Sequence, residues 1–185
     1  IKNVDKIYCV SEYVKRELLK RLPFKEDRYE VHKNKVDETR FNKKVKGDQV
    51  VRKYNLKNNK VFLYVGRIAP HKRIDLLLKS FNANKSKFPK AKLIIVGKPT
   101  HARYYEKLRK MAGKDVIFTG FVKDEELPTY YAACDYYITA SVDECFNLPA
   151  AEAQACGKPI IAFDIGSHSE VVKKGKGSIL IPERD

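Results

Sequence analysis

Six short apolar runs recur at intervals along the chain: Val61-Phe62-Leu63-Tyr64-Val65, Leu93-Ile94-Ile95-Val96, Val116-Ile117-Phe118, Tyr136-Tyr137-Ile138-Thr139, Ile160-Ile161-Ala162-Phe163 and Ile179-Leu180-Ile181. This rhythm limits the fold more than any other feature. Continuous apolar runs of this length suit strands covered on both faces. After the first run, Ile74, Leu77, Leu78 and Phe81 follow the i, i+3, i+4, i+7 pattern of a helix lying on a sheet. Tyr105, Leu108 and Ala112 line a second helix, and further helices are predicted over 124–132, from Pro149, and near Glu170. Strands alternating with helices imply right-handed crossovers and a parallel sheet, so the expected architecture is a doubly wound α/β domain of six strands from Val61 onward. Upstream, Ile7-Tyr8-Cys9-Val10 is an apolar run, and Ser11 is placed to cap a helix over 12–21. From Leu22 to Lys60 the chain is charged and uneven in period, with Tyr29-Glu30-Val31 read as a short strand.

Composition excludes several classes. A chain of 185 residues makes one domain and buries roughly 70% of its unfolded surface. Its 43% apolar fraction argues against disorder. No apolar run approaches the ~20 residues of a membrane span. Cys9, Cys134, Cys145 and Cys156 stand singly among apolar or small residues, which reads as reduced, mostly buried thiols in a cytoplasmic protein. The histidines lack zinc-ligand spacing, so no metal is expected. The net charge of +15 arises from 38 basic and 23 acidic residues, and lysine clusters carry it along the whole chain. That distribution reads as a solvated surface, compatible with peripheral contact at the inner face of an anionic membrane. No zinc-finger, RNP or helix-turn-helix signature is present, so no specific nucleic acid is expected. The first residue is Ile1 rather than Met, and the chain stops just after an apolar strand, which suggests a piece of a longer protein.

The chemistry concentrates in loops at the carboxyl ends of the predicted strands. Asp143-Glu144-Cys145-Phe146-Asn147-Leu148-Pro149-Ala150-Ala151-Glu152 joins a strand to a helix whose first turn suits Pro149. It brings two carboxylates and free backbone N–H groups to a helix N-terminus, the place where open α/β sheets bind phosphorylated ligands. Carboxylates accept from hydroxyls and amides attract phosphate, so a nucleotide sugar fits both. Gly66-Arg67-Ile68-Ala69-Pro70-His71-Lys72-Arg73 follows the first strand of the six. There Arg67 and Lys72 converge, able to neutralise a diphosphate without a metal. Thr119-Gly120-Phe121-Val122-Lys123 has a backbone suited to a nucleobase edge, and Gly166 in Asp164–Glu170 would bring amides close to ligand. His71 and His168 read as polar loop residues. No G-x-x-x-x-G-K-[ST], G-x-G-x-x-G or G-x-S-x-G occurs, which removes the P-loop, dinucleotide and hydrolase-elbow readings.

At these residues the chain resembles the C-terminal, donor-binding half of GT-B-fold retaining glycosyltransferases, the glycosyl transferases group 1 family, whose halves are Rossmann-like. The likeness rests on Val65-Gly66-Arg67 with Lys72, Ile95-Val96-Gly97, Phe118-Thr119-Gly120-Phe121-Val122, the Glu144-to-Glu152 segment, and Gly166 with Glu170. Val10-Ser11-Glu12-Tyr13-Val14 is similar to the end of the family's N-terminal domain, and Asn34-Lys35-Val36-Asp37 with Phe41 to its linker. The division implied is 1–41 as domain tail and linker, and 42–185 as the nucleotide-sugar domain, truncated at its C-terminus.

The resemblance implies that Arg67 and Lys72 hold the donor diphosphate, with Gly66 and Gly97 beside it. It implies that Glu144 and the backbone of Phe146, Asn147 and Leu148 hold the sugar, that Glu152 accepts from the ribose, and that Phe121 and Val122 frame the base. Catalytic roles fall to Arg67, Lys72 and Glu144. The implied reaction is metal-independent transfer from a UDP- or GDP-hexose, leaning to GDP-mannose, to a saccharide or lipid-linked acceptor. It implies little transfer by this piece alone. Cys145, Asn147, Lys35 and Arg73 stand where the family usually has glycine. Asparagine tolerates positive φ, so the loop at 147 is expected to survive. Two other readings stay open on the residues: a non-catalytic nucleotide or nucleic-acid binding module, and a GT-B nucleotide-sugar isomerase.

Overall fold

The computed structural model describes residues 4–173, 175 and 177–182. Residues 1–3, Lys174, Lys176 and 183–185 lie outside that range, and with them Ile1, part of the lysine-rich charge and the chain end noted above. The six predicted strands are all present, as β3 (Lys60–Val65), β4 (Ala91–Val96), β5 (Val116–Gly120), β6 (Tyr136–Ile138), β7 (Ile160–Phe163) and β8 (Ile179–Ile181). They form one parallel sheet in the order β5-β4-β3-β6-β7-β8. Phe62 of β3 pairs with Leu93 on one side and Tyr136 on the other. From β3 the chain winds outward to β5, returns across β3 to β6, and then winds the opposite way. Such a reversal is where open α/β sheets form their ligand crevice, here outside the carboxyl ends of β3 and β6.

Strand periodicity decides what each face buries. Val61, Leu63 and Val65 join Ile94, Val96, Tyr137, Ile160 and Ala162 in one core, while Tyr64, Leu93 and Ile95 enter a second core on the other face. The second core is covered by α3 (Ile74–Ala83) and α4 (Ala102–Met111), which bury Ile74, Leu77, Leu78 and Leu108. Phe81, the fourth member of the predicted stripe, packs at its edge. The first core lies under α5 (Leu127–Ala133) and α6 (Leu148–Ala155). Four tyrosines, Tyr64, Tyr130, Tyr131 and Tyr137, are among the largest fully buried side chains.

The stretch read as irregular holds a further helix, α2 (Asp48–Lys53), which the sequence pattern did not disclose. Six residues are too short for an apolar period, and an isolated helix of that length is unstable. Tertiary contact supplies the stability: Val50 is buried with Phe41 and Leu56, and a side chain at Gly47 would lie 2.5 Å from the Ala133 backbone nitrogen. Before it, β1 (Ile7–Cys9) and β2 (Tyr29–Val31) pair in parallel around α1 (Glu12–Arg21). Ser11 caps α1 as expected, its Oγ accepting from Val14 N at 3.1 Å. Three of the four thiols are buried, and Cys145 is exposed.

Candidate functional site

The crevice is built from loops that hold one another through backbone contacts. Gly66 N donates to Val96 O at 3.0 Å and Gly97 N to Gly120 O at 2.9 Å. Gly97 has φ of +145°, and a Cβ there would sit 1.9 Å from Gly66 O, so this close approach requires glycine. Arg67 is exposed beyond that contact, with its carbonyl held by the buried Tyr64 hydroxyl at 3.0 Å. Pro70–Lys72 form a single 3-10 turn, and Arg73 closes it at φ +47°. Two of the family's usual glycine positions, 73 and 147, therefore carry left-handed backbone here, while Cys145 and Lys35 do not.

Lys72 Nζ lies 2.8 Å from Glu144 Oε1, with side chains only 15% and 12% exposed. This ion pair joins the loop after β3 to the loop after β6, and Val142 N donating to His71 O at 3.3 Å adds a backbone tie. Partial desolvation, then the neighbouring Lys72 and Arg67, hold His71 below the usual imidazole range. The loop at 164–170 fixes Glu144 from behind. Ser167 donates to Glu144 O from both its N, at 3.2 Å, and its Oγ, at 3.1 Å. Gly166, at φ +55°, packs so close that a Cβ would be 2.5 Å from the same oxygen. Gly166 thus makes room for the Glu144 backbone in the loop after β6.

Asn147 caps α6 from φ +66°, its Oδ1 accepting from Ala150 N at 3.2 Å. Among the described residues, the N–H groups of Phe146, Asn147 and Leu148 have no protein acceptor. They crowd at a helix N-terminus, whose partial positive charge favours anions and oxygen acceptors. Phe146 is buried and Leu148 is 36% exposed. Glu152 follows on α6, 9% exposed, its Oε2 receiving the Tyr131 hydroxyl at 2.6 Å. Burial raises the Glu152 carboxyl above its ordinary range, partly offset by the Tyr131 bond and the charge of Arg40. Burial pushes the Tyr137 phenol far up, and the charges of Tyr64, Glu144 and Glu152 add to the shift.

The base-framing pair separates. Phe121 is 60% exposed, with Lys98 Nζ 4.5 Å from its ring centre, whereas the Val122 side chain is buried in the core. Only the backbone of Val122 is available to a ligand. His168, read as a polar loop residue, is fully buried on the short α7 (His168–Val171) and bonded to Asn147. Three residues here were not anticipated: Tyr131, Ser167 and Arg40, whose guanidinium donates to Asp124 O. Nothing in their local sequence marks them, because their partners lie 21, 23 and 84 residues away.

The family model described as glycosyl transferases group 1 matches residues 48–185. YtcC of Bacillus subtilis is 31% identical over a match covering 92% of this chain and 46% of its own length. The lipopolysaccharide 1,2-N-acetylglucosaminetransferase of Salmonella typhimurium is 36% identical, over 62% of this chain and 33% of its own length. The chain thus spans between a third and a half of these relatives. HepE of Anabaena, solved in complex with UDP and glucose, superposes with a TM-score of 0.87 over 97% of this chain and 50% of that one, at 22% identity. The reversal of winding at β3 and β6, the family match and the shared fold agree: the chain belongs to the glycosyl transferases group 1 family, and its six-stranded sheet is the C-terminal half of a GT-B fold.

Proposed function

We propose that this chain is the donor-binding half of a retaining hexosyltransferase that moves a sugar from a nucleoside diphosphate to a saccharide or lipid-linked acceptor. The observation that carries the reading is the Lys72–Glu144 pair, 2.8 Å apart at the crevice between β3 and β6. It sets a cation for phosphate directly beside a carboxylate for hydroxyls. Across this contact Glu144 neutralises Lys72. An arriving diphosphate takes over Lys72 together with Arg67, and releases Glu144 to accept from the sugar, alongside the amides of Phe146, Asn147 and Leu148. Glu152 accepts from the ribose, and Phe121 presents its ring to the base.

In this scheme the bond from the anomeric carbon to the phosphate oxygen breaks with its electrons moving to the diphosphate. Arg67 and Lys72 offset the charge that develops there, without a metal. The oxocarbenium-like sugar is then attacked by the acceptor hydroxyl on the face the leaving group vacates, and the hydroxyl proton passes to the departing diphosphate oxygen. UDP in the HepE complex supports a nucleoside diphosphate as the ligand class. Residues 1–41 are read as the closing segment of the partner domain and its linker, and the acceptor pocket is assigned to that partner. Among the described residues no helix is long and apolar enough to cross a membrane. A lipid-linked acceptor would be reached through the basic surface.

Calorimetry with UDP and GDP, against single-stranded DNA, tests the reading. Diphosphate binding is expected, weakened at least about tenfold by Arg67→Ala and by Glu152→Ala, as loss of a charge-assisted contact requires. Binding of DNA but of neither nucleotide would replace the enzyme reading with a recognition module.

A further inference from the structure

One buried polar chain lies beneath the loop that the proposed function assigns to the sugar. His168 is fully buried, with Nδ1 2.7 Å from Phe163 O and Nε2 2.7 Å from Asn147 Nδ2. A carbonyl oxygen only accepts, so the imidazole proton is on Nδ1, and Nε2 is left to accept from the Asn147 amide. That orientation turns Asn147 Oδ1 toward Ala150 N at 3.2 Å, which also donates to Asn147 O at 3.0 Å, and toward the Tyr137 hydroxyl, 3.5 Å from both Oδ1 and Val65 O. Every polar atom of the amide and the ring then has a partner of the right kind. Asn147 also holds φ of +66°, a conformation that ordinary side chains disfavour.

We infer that His168 is a positioning residue for the sugar loop: with its proton on Nδ1, it clamps the Asn147 amide in the one orientation that caps α6 and keeps the 146–148 amides aimed into the crevice. His168 and Asn147 together replace the glycine usual at 147. Glycine would reach the left-handed backbone freely, whereas asparagine is held there by its amide. The device is also sensitive to protons. A proton on Nε2 would face the Asn147 Nδ2–H group, donor against donor, and the amide would have to turn over. Its Oδ1 would leave Ala150 N, which keeps only its 3.0 Å bond to Asn147 O; the side-chain cap would be lost, and the loop would be held less firmly.

The charged groups around the ring oppose one another. Burial holds the imidazole below its ordinary range, the bond to Phe163 O and the charges of Glu144 and Asp164 favour protonation, and Lys72 disfavours it. Because Lys72 and Glu144 are the residues given to the donor, this inference rests on the proposed function for its consequence, though not for its geometry.

Two measurements on the full chain test it. Nitrogen NMR of the His168 ring is expected to show the proton on Nδ1 at pH 7.5. Asn147→Asp, which sets a carboxylate against Nε2, is expected to raise the His168 titration midpoint by about one pH unit or more. Calorimetry with UDP and GDP at pH 7.5 is expected to show affinity reduced about tenfold by His168→Gln, the scale of a lost helix cap. Wild-type affinity should fall on acidification in step with the ring's own titration. A proton found on Nε2, a midpoint unmoved by Asn147→Asp, or unchanged affinity in His168→Gln would each overturn the inference. If the wild type binds neither nucleotide, the donor reading fails, and the NMR result alone decides whether the clamp exists.

Discussion

Removing the Tyr131 hydroxyl tests whether Glu152 is held ionised against its surroundings. The phenol donates to Oε2 at 2.6 Å, and the tyrosine is fully buried with the carboxyl 9% exposed, so water cannot replace the bond in Tyr131→Phe. A hydrogen bond to a charged group contributes about 1.5–3 kcal/mol and a neutral one about 0.5–1.5 kcal/mol. Tyr131→Phe is therefore expected to destabilise the chain by about 1.5–3 kcal/mol, or roughly 3–12 °C in Tm at about 2–4 °C per kcal/mol for a domain of this size. In the Glu152→Gln background the same substitution should cost about 0.5–1.5 kcal/mol, leaving a coupling near 1 kcal/mol in a double-mutant cycle. Urea denaturation of the four proteins at pH 7.5 measures it. Burial raises the Glu152 carboxyl, so its contribution to stability is full below the ordinary carboxylate range and is lost as pH rises through the folded value. Glu152→Gln alone should accordingly gain on the wild type between pH 4.5 and pH 7.5, while weakening nucleotide binding. Equal costs for Tyr131→Phe in the two backgrounds would show that Glu152 is not held as a carboxylate, and the ribose role would lose its physical basis.

Other perturbations follow from the same geometry. Gly97→Ala places a methyl 1.9 Å from Gly66 O at φ +145°, and should cost at least about 1–3 kcal/mol while separating the two loops and weakening UDP or GDP binding. Equilibrium denaturation and calorimetry on one sample check both effects. Lys72→Ala leaves the Glu144 carboxylate mostly buried without its cation, and should destabilise by about 1–3 kcal/mol, whereas the exposed Arg67→Ala should leave stability within about 0.5 kcal/mol. Thermal melts of the pair separate the two roles. His168 has its pKa lowered by burial, so its contribution is complete above about pH 6.5 and is lost as pH falls through the folded value. A plot of stability against pH should be flatter over that acid limb in His168→Gln.

Most of the architecture was legible because its signals are local. A run such as Leu93–Val96 declares a strand covered on both faces, and the spacing of Ile74, Leu77 and Leu78 declares a helix on a sheet, without reference to anything distant. The same applies to Ser11 before α1, whose hydroxyl caps the helix that follows it. α2 escaped because six residues carry no period, and its helix exists only where Val50 and Gly47 meet the first core.

What the sequence determined by itself was the set of elements and the residues that end each strand, since both depend on neighbours within a turn or a pleat. Which of those ends face each other was decided by the sheet order. β6 returns beside β3, and so Lys72 reaches Glu144 across 72 residues of chain. His168 and Tyr131 meet their partners the same way: one bonds Asn147 and the other Glu152, each 21 residues removed, and only burial turns such pairs into a fixed hydrogen bond.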